Sequence, residues 1–257
     1  MKKTPKTISS FTVILGLFLS AFLIPANAQE LSLNLQEDFA LSGQIVQILV
    51  LMTVLSLAPA ILVVVTSFTR IIIVFSLLRS AMGTQQTPPN VVLISLALFM
   101  TAFIMAPTIE EAYDQGVSPL IDELITEDEA YERITTPFHT FMMSQVREKD
   151  LQLFLDLSRM EVPAEQADTP IQILVPAFII SELRRAFEIG FLIFIPFIII
   201  DMIVASILMS MGMMMLPPVL ISLPFKLIFF VMVDGWHLLV GSLIQSFGPG
   251  GVPPGVT

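Results

Sequence analysis

The chain has 257 residues, of which 55% are hydrophobic and 13% charged, with a net charge of −10 and no cysteine. A soluble domain carries about 25% charged residues, so the composition points to a membrane protein. Without cysteine there are no disulfides, thiolate metal sites or thiol nucleophiles, and the two histidines, His139 and His237, are too few and too distant in sequence for a metal site.

Residues 1–28 have the form of a cleaved signal peptide: Lys2, Lys3 and Lys6, the apolar run FTVILGLFLSAFLI, then the small residues Ala26 and Ala28 around Asn27. Its 14 apolar residues fall short of the roughly 20 that a membrane span needs. An uncleaved first helix is the competing reading. Cleavage leaves the mature N-terminus outside the cytoplasm, as on a bacterial Sec-type route.

From Ala40 to Thr69 and again from Ser80 to Ile109 no residue is charged, which predicts two spans within an N-terminal helical hairpin, residues 29–109. Between them, TRIIIVFSLLRSAMGTQQTPPN carries Arg70 and Arg79 and is expected on the cytoplasmic side. Residues 110–170 change character, with fifteen acidic against four basic residues. Leu120, Leu124, Phe138, Phe141 and Met142 recur at helical spacing, so this is expected to be a small helical region in the periplasm. Its acid-rich run, Asp122 to Glu132, reads as a solvated face. Asp114, Asp122 and Glu123 lack calcium-loop spacing.

Residues 171–257 form a C-terminal hairpin, with spans expected near 186–210 and 219–246. The fold class is therefore all-α: polytopic membrane-type helical hairpins, about four hydrophobic helical segments, and a small periplasmic insertion.

Three features fit poorly with a bundle that faces lipid alone. In SELRRAFEIG, Glu182 with Arg185 and Arg184 with Glu188 stand at pairing distance on a helix, yet they interrupt an apolar stretch. They are placed either at the headgroup level or against other protein. Asp201, Lys226 and Asp234 lie inside apolar segments, where a charge costs about 2.5–3.5 kcal/mol. About 16 residues separate Asp201 from Pro217, and about 8 separate Pro218 from Lys226. A hairpin closing on those prolines sets the two charges at different levels, so a partner in another chain is as good a reading as a pair within one. Finally Pro59, Pro107, Pro176, Pro196, Pro217, Pro218 and Pro224 sit in or beside apolar helices, where broken helices need protein or a water-filled cavity around them. Together these features suggest a subunit of a larger apolar assembly.

The stretch MSMGMMMLPP holds five methionines between Met209 and Met215. Methionine is unbranched, polarisable and adaptable; Gly212 permits a tight backbone, and Pro217 and Pro218 stop helix from continuing. From the residues alone, lipid-facing or packing methionines at a hairpin end remain an alternative.

PAFIISELRRAF, IDMIVASILMSMGMMMLPP and LPFKLIFFVMVDGW, with TSFTRIIIVFSLLRSAMGTQQTPPN in the N-terminal half, resemble the FliP family over roughly residues 45–247. The acidic middle carries the weaker part of the match. The resemblance implies a core membrane subunit of the flagellar type III export gate, with no catalysis and no cofactor. It implies five copies assembled with FliQ and FliR into a helical cone, working with FlhB, FlhA and a cytoplasmic ATPase complex. The cone passes unfolded flagellar polypeptides across the inner membrane. It further implies that Met209, Met211, Gly212, Met213, Met214 and Met215 form a gasket at the channel constriction. Phe187, Phe191, Phe194 and Phe197, spaced as one stripe, are candidates for the inner rim or for subunit packing. Glu182, Arg184, Arg185, Glu188, Asp201, Lys226 and Asp234 are candidate intersubunit contacts. The homologous subunit of a virulence type III injectisome and, in another class, a proton-coupled small-solute transporter using Asp201 and Asp234 are the alternatives; no internal repeat supports the latter.

Overall fold

The computed structural model describes residues 40–84, 86–158, 169–213 and 216–248. The signal-peptide reading lies outside them. All regular structure among the described residues is helical: α1 (Ala40–Val64), α2 (Phe68–Met82), α3 (Asn90–Ala112), a π-helical segment (Tyr113–Val117), α4 (Ser118–Ile121), α5 (Glu127–Gln145), α6 (Glu148–Ser158), α7 (Ile171–Ser210), α8 (Pro218–Met232) and α9 (Gly235–Gln245). The chain divides into two units at residue 54. The described part of the first unit, residues 40–54, is the beginning of α1 and exposes Leu49, Leu51 and Met52.

The spine of the second unit is α7. Its 40 residues make a rod about 60 Å long, twice the roughly 30 Å hydrocarbon thickness of a bilayer. The expected span at 186–210 is thus the second half of a longer helix, and SELRRAFEIG lies in its middle rather than interrupting it. Pro107, Pro176, Pro196 and Pro224 lie inside helices that run through them. The expectation of proline-broken helices is corrected accordingly. Each proline removes one donor, and the remaining backbone bonds of a long helix hold the rod together.

By length and composition, α7 and the continuous helical run Asn90–Ile121 are able to cross a membrane. The pair α8 and α9, bent by 62°, forms a third such unit. The span expected over 219–246 is therefore two helices. Asp234 stands at the break with φ 51 and ψ 51, a left-handed conformation that Asp adopts more readily than most residues.

The segment expected to be a cytoplasmic connection is α2, the most deeply buried helix. Ile71, Val74, Phe75, Leu78, Ala81 and Met82 meet Leu93, Ala97 and Met100 of α3, Ala186 and Phe197 of α7, and Leu239 and Leu243 of α9. Its apolar residues recur at intervals of three and four, which places them on one side of the helix. Its two arginines, Arg70 and Arg79, led to the reading as a cytoplasmic connection, whereas its 15 residues bury one face against protein. A second core joins Met142 of α5 and Leu151 of α6 to Ile173, Leu174, Ala177 and Phe178 near the start of α7.

The acidic run begins α5. The Thr126 side chain accepts a hydrogen bond from the Glu129 amide, and Glu127, Asp128 and Glu129 fill the first turn, where carboxylates face the positive end of the helix dipole. Their side chains are exposed.

Helices α2 and α7 approach each other closely at Gly190, where an added Cβ would lie 2.2 Å from Leu77 Cδ1. Gly190→Val is expected to overpack this crossing and destabilise the fold by about 1–3 kcal/mol, read as a lowered unfolding midpoint of the purified protein. An unchanged midpoint would mean that the helices separate freely there.

Candidate functional site

The methionine loop starts where α7 ends. The Met213 amide donates to Leu208 O at 3.0 Å, and the Gly212 amide to Met209 O at 3.1 Å, with Gly212 at φ 76. This 6→1 and 5→2 pair is a Schellman cap, and its left-handed position explains the glycine. An added Cβ at Gly212 would meet nothing, so backbone conformation rather than space demands it. Pro217 is extended and Pro218 occupies the first turn of α8, where a missing amide is harmless. Met209, Met211 and Met213 are 58%, 67% and 44% exposed. The expected sites Met214 and Met215 lie outside the described residues.

Below the loop, the hairpin is tied by charge. Lys226 Nζ donates to Asp201 Oδ2 at 2.7 Å and to Ala81 O at 3.2 Å, and the Ser222 hydroxyl donates to Asp201 Oδ1. The sequence-based mismatch in level is corrected: Asp201 and Lys226 pair within one chain. The reason is that α7 stops at Ser210, so the loop from Met211 to Pro217 absorbs the excess. Asp201 then stands nine residues below the top of α7, and Lys226 eight residues into α8. Lys226 also neutralises a free carbonyl at the C-terminal end of α2, where the helix dipole favours a cation.

Glu182 has a different partner from the one its spacing suggested. Arg70 and Glu182 are 1% and 0% exposed and form a two-pronged ion pair. Arg70 Nε donates to Glu182 Oε2 at 2.8 Å, and Nη2 donates to Oε1. Nη2 also reaches Gln145 Oε1 at 3.1 Å, while Nη1 reaches Ser246 O and Oγ at 3.1 and 2.9 Å. All five donors of the guanidinium are engaged, and its carbon lies 3.7 Å from the centre of the Phe247 ring. Gln145 Nε2 closes the network on Phe247 O at 3.2 Å. Four parts of the chain, α2, α5, α7 and the segment after α9, meet at one arginine. Glu182 is thus satisfied inside its own protomer, which corrects its assignment to an intersubunit contact.

Arg185 joins the edge of this network through Gln145 Oε1 at 3.1 Å. Arg184 and Glu188 form the exposed pair expected from their spacing, at 2.8 Å. Asp234 is exposed at the break between α8 and α9, not inside a helix.

The phenylalanine stripe divides. Phe187 and Phe191 are exposed, Phe194 packs against the core and Phe197 is buried in it, edge-on to Phe229 at 6.2 Å. Ten residues along a helix fall about 80° short of three full turns, so Phe197 has rotated off the face that Phe187 starts. Its place on an inner rim is corrected.

Sequence reasoning missed Gln145, Ser222, Ser246 and Phe247, and saw Arg70 only as a topological charge. An arginine directly after a long uncharged run was the available signal: a buried charge must have a partner. It also missed Asp150, buried on α6. Arg147 donates to Asp150 twice at 2.8 Å, Ser181 of α7 donates at 2.6 Å, and the Arg147 amide donates to Ser181 Oγ at 3.0 Å. Burial pushes the Asp150 carboxyl up, but the bonds from Ser181 and Arg147 and the charges of Arg147 and Arg184 outweigh it and hold it below the ordinary carboxylate value.

A model of the FliP family matches residues 51–243. The chain belongs to the FliP family. It is 57% identical over 234 residues to the flagellar biosynthetic protein FliP of Caulobacter vibrioides, covering 89% of this chain and 88% of that protein. It is 57% identical over 202 residues to the FliP of Bacillus subtilis, covering 79% and 91%, and 52% identical over 227 residues to that of Agrobacterium fabrum, covering 86% and 93%. Membership of the family and the long apolar helices together indicate a membrane location.

Arg70→Met and Glu182→Leu, each alone, are expected to destabilise the chain by about 3–5 kcal/mol, because one buried charge is stranded; the double variant is expected to recover most of that loss. A double-mutant cycle in unfolding free energy checks this, and additive losses would mean that the pair is not coupled. For Asp150 the folded carboxyl is the more acidic, so its stabilisation is present above the ordinary value of 3.8 and is lost as pH falls through the folded one. The stability gap between wild type and Asp150→Asn is expected to be full near neutral pH and to shrink below that value in acid unfolding curves.

Proposed function

We propose that the chain is a core channel-forming subunit of the flagellar type III protein export gate in the bacterial inner membrane, and that its methionine loop is the gasket of that channel. In this reading five copies assemble with FliQ and FliR, work with FlhB and FlhA in the flagellar basal body, and pass unfolded flagellar polypeptides outward. Residues 110–170 stand on the periplasmic side, and no step of the work is catalytic.

The observation that carries the reading is the loop itself. Flexible apolar side chains are presented to the outside on a capped turn, at the tip of a hairpin whose two arms are tied by Asp201, Ser222 and Lys226. A ring of such loops closes against water and ions through its apolar surface, since hydrophobic constrictions gate by dewetting. Thioether side chains then part around a polypeptide without selecting its sequence. The exposed apolar faces of α3, α7 and α8, among them Phe99, Phe191 and Ile228, suit a subunit covered by neighbours and lipid. The flagellar names of the relatives favour the flagellar machine over the injectisome. The tight pairing of Asp201 with Lys226 argues against its use as a proton carrier in a solute transporter.

Replacing Met213, Met214 and Met215 by alanine in a motile strain is expected to produce ion leak and slowed growth while filament export persists. Unchanged ion permeability with normal export would remove the gasket role. If the triple variant fails to accumulate, single-cysteine labelling at Met211, in a chain with no other cysteine, tests whether the loop lines a water-accessible pore that exported protein blocks.

A further inference from the structure

Most charges inside the apolar segments are matched within the chain. Arg70 takes Glu182, Arg184 takes Glu188 and Lys226 takes Asp201. Across the described residues of 40–109 and 171–248 this leaves one carboxylate, Asp234, and two guanidiniums, Arg79 and Arg185, without an opposite charge. Asp234 is exposed at the break between α8 and α9, and its side chain bonds no described residue. Val231, Met232 and Leu238 near it are exposed as well, so the charge sits in an apolar surface. Covering such a charge is costly unless the cover brings an opposite one.

We infer that Asp234 of one copy of the chain pairs with Arg79 of the adjacent copy, and that this ion pair sets the register between neighbouring subunits. Height selects Arg79 over Arg185. Leu78, the residue before Arg79 on α2, lines one groove with Val233 and Gly235, the residues on either side of Asp234. Phe75, one turn below Arg79, meets Trp236 with ring centres 6.2 Å apart. Arg185 instead bonds Gln145, which holds Arg70 beside Ser246 at the far end of α9. The 11 residues of α9 put that level about 16 Å from Asp234 at 1.5 Å per residue, more than an arginine side chain spans.

Arg79 is equipped to receive a carboxylate. Its Nη1 donates to Asn90 Oδ1, and the rest of the fork bonds no described residue. Ser76, Ser80 and Thr84 line the same groove, and Thr84 Oγ1 is shut off from water with no hydrogen-bond partner. The described lining thus offers a guanidinium and three hydroxyls and no carboxylate, a set that binds a carboxylate by charge-assisted hydrogen bonds. Leu78 turns into the core while Ser76 and Ser80 are exposed, so this groove opens on a different side of α2 from the bend that carries Asp234. Complementary charges at one height on different sides of a chain meet between adjacent copies, in a head-to-tail contact. The inference rests on the assembly of copies in the proposed function and not on the gasket.

Full-length chains with Arg79→Cys and with Asp234→Cys, each carrying its own tag, are co-expressed in a sequence that has no other cysteine and treated in membranes with a short bis-maleimide. A product bearing both tags is expected. Arg185→Cys with Asp234→Cys is the register control and is expected to give none; a product there and not at Arg79 would overturn the pairing. So would the lack of a product at Arg79 from chains that still run as the wild-type oligomer after mild detergent extraction, and the assembly reading would then stand without this contact. A wild type that runs as a monomer would remove that reading itself, and the pair with it. In a motile strain, Arg79→Asp and Asp234→Arg, each alone, are expected to lose the oligomer and swimming, and the double reversal to restore both. A double reversal no better than the single ones would mean that the two residues are not partners. If the cysteine chains do not assemble, the reversal pair decides; if the reversed chains do not accumulate, the cross-link does.

Discussion

The buried pair of Arg70 and Glu182 sets the terms for the rest of the chain. Two charges at essentially zero exposure cost several kcal/mol each to remove from water, and good geometry with extra hydrogen bonds is needed to offset that. The offset here recruits Gln145, Ser246 and Phe247. The recruits come from α5 and from the segment after α9, so the pair is satisfied in one arrangement of four segments. Apolar contacts alone would tolerate sliding of α2 along α7. The arginine fork fixes their register, and the close approach at Gly190 two turns further along α7 becomes permissible because that register does not drift.

A second tether of similar construction lies higher on the same rod. Lys226 joins α8 to α7 through Asp201 and to the end of α2 through Ala81 O. It is more accessible on the carboxylate side, with Asp201 31% exposed in its side chain. The turn above it is capped by the backbone bonds of Gly212 and Met213. Constraint therefore falls off along α7 from the arginine cluster through the lysine tether to Met209, Met211 and Met213, which are 58%, 67% and 44% exposed.

How much of this was legible beforehand follows from what each signal encodes. Apolar run length found the hydrophobic segments, because burial in lipid demands about 20 residues whatever the fold. It failed for α2, whose 15 residues bury against protein rather than lipid. Spacing found Arg184 with Glu188 because both lie on one helix. It chose the wrong partner for Glu182, since a guanidinium 112 positions away in sequence leaves no local trace. The level of Asp201 against Lys226 was misjudged because residues were counted to a hairpin closing on the double proline, although the span itself was expected to end near residue 210. The glycine at 212, a residue that ends helices in the left-handed conformation, marks the stop five residues earlier. Met214 and Met215 were read from sequence and lie outside the described residues.

The distance between the two ends of this gradient bears on the gasket role proposed for the loop. From Glu182 to Ser210 is 28 residues of unbroken helix, about 42 Å at 1.5 Å per residue. A seal must deform each time something passes, and a scaffold must not. If the methionines were packed near the arginine cluster, every opening would disturb bonds whose loss strands a buried charge. Placing them at the far end of a long helix, behind a tether that is partly exposed and a turn capped by its backbone, lets the loop yield while the register of α2, α5 and α7 stays fixed. The same separation explains why the most adaptable side chain is concentrated in seven positions rather than spread along α7. Adaptability lowers specificity in a core, so it is confined to the one place where a unique packing arrangement is not wanted.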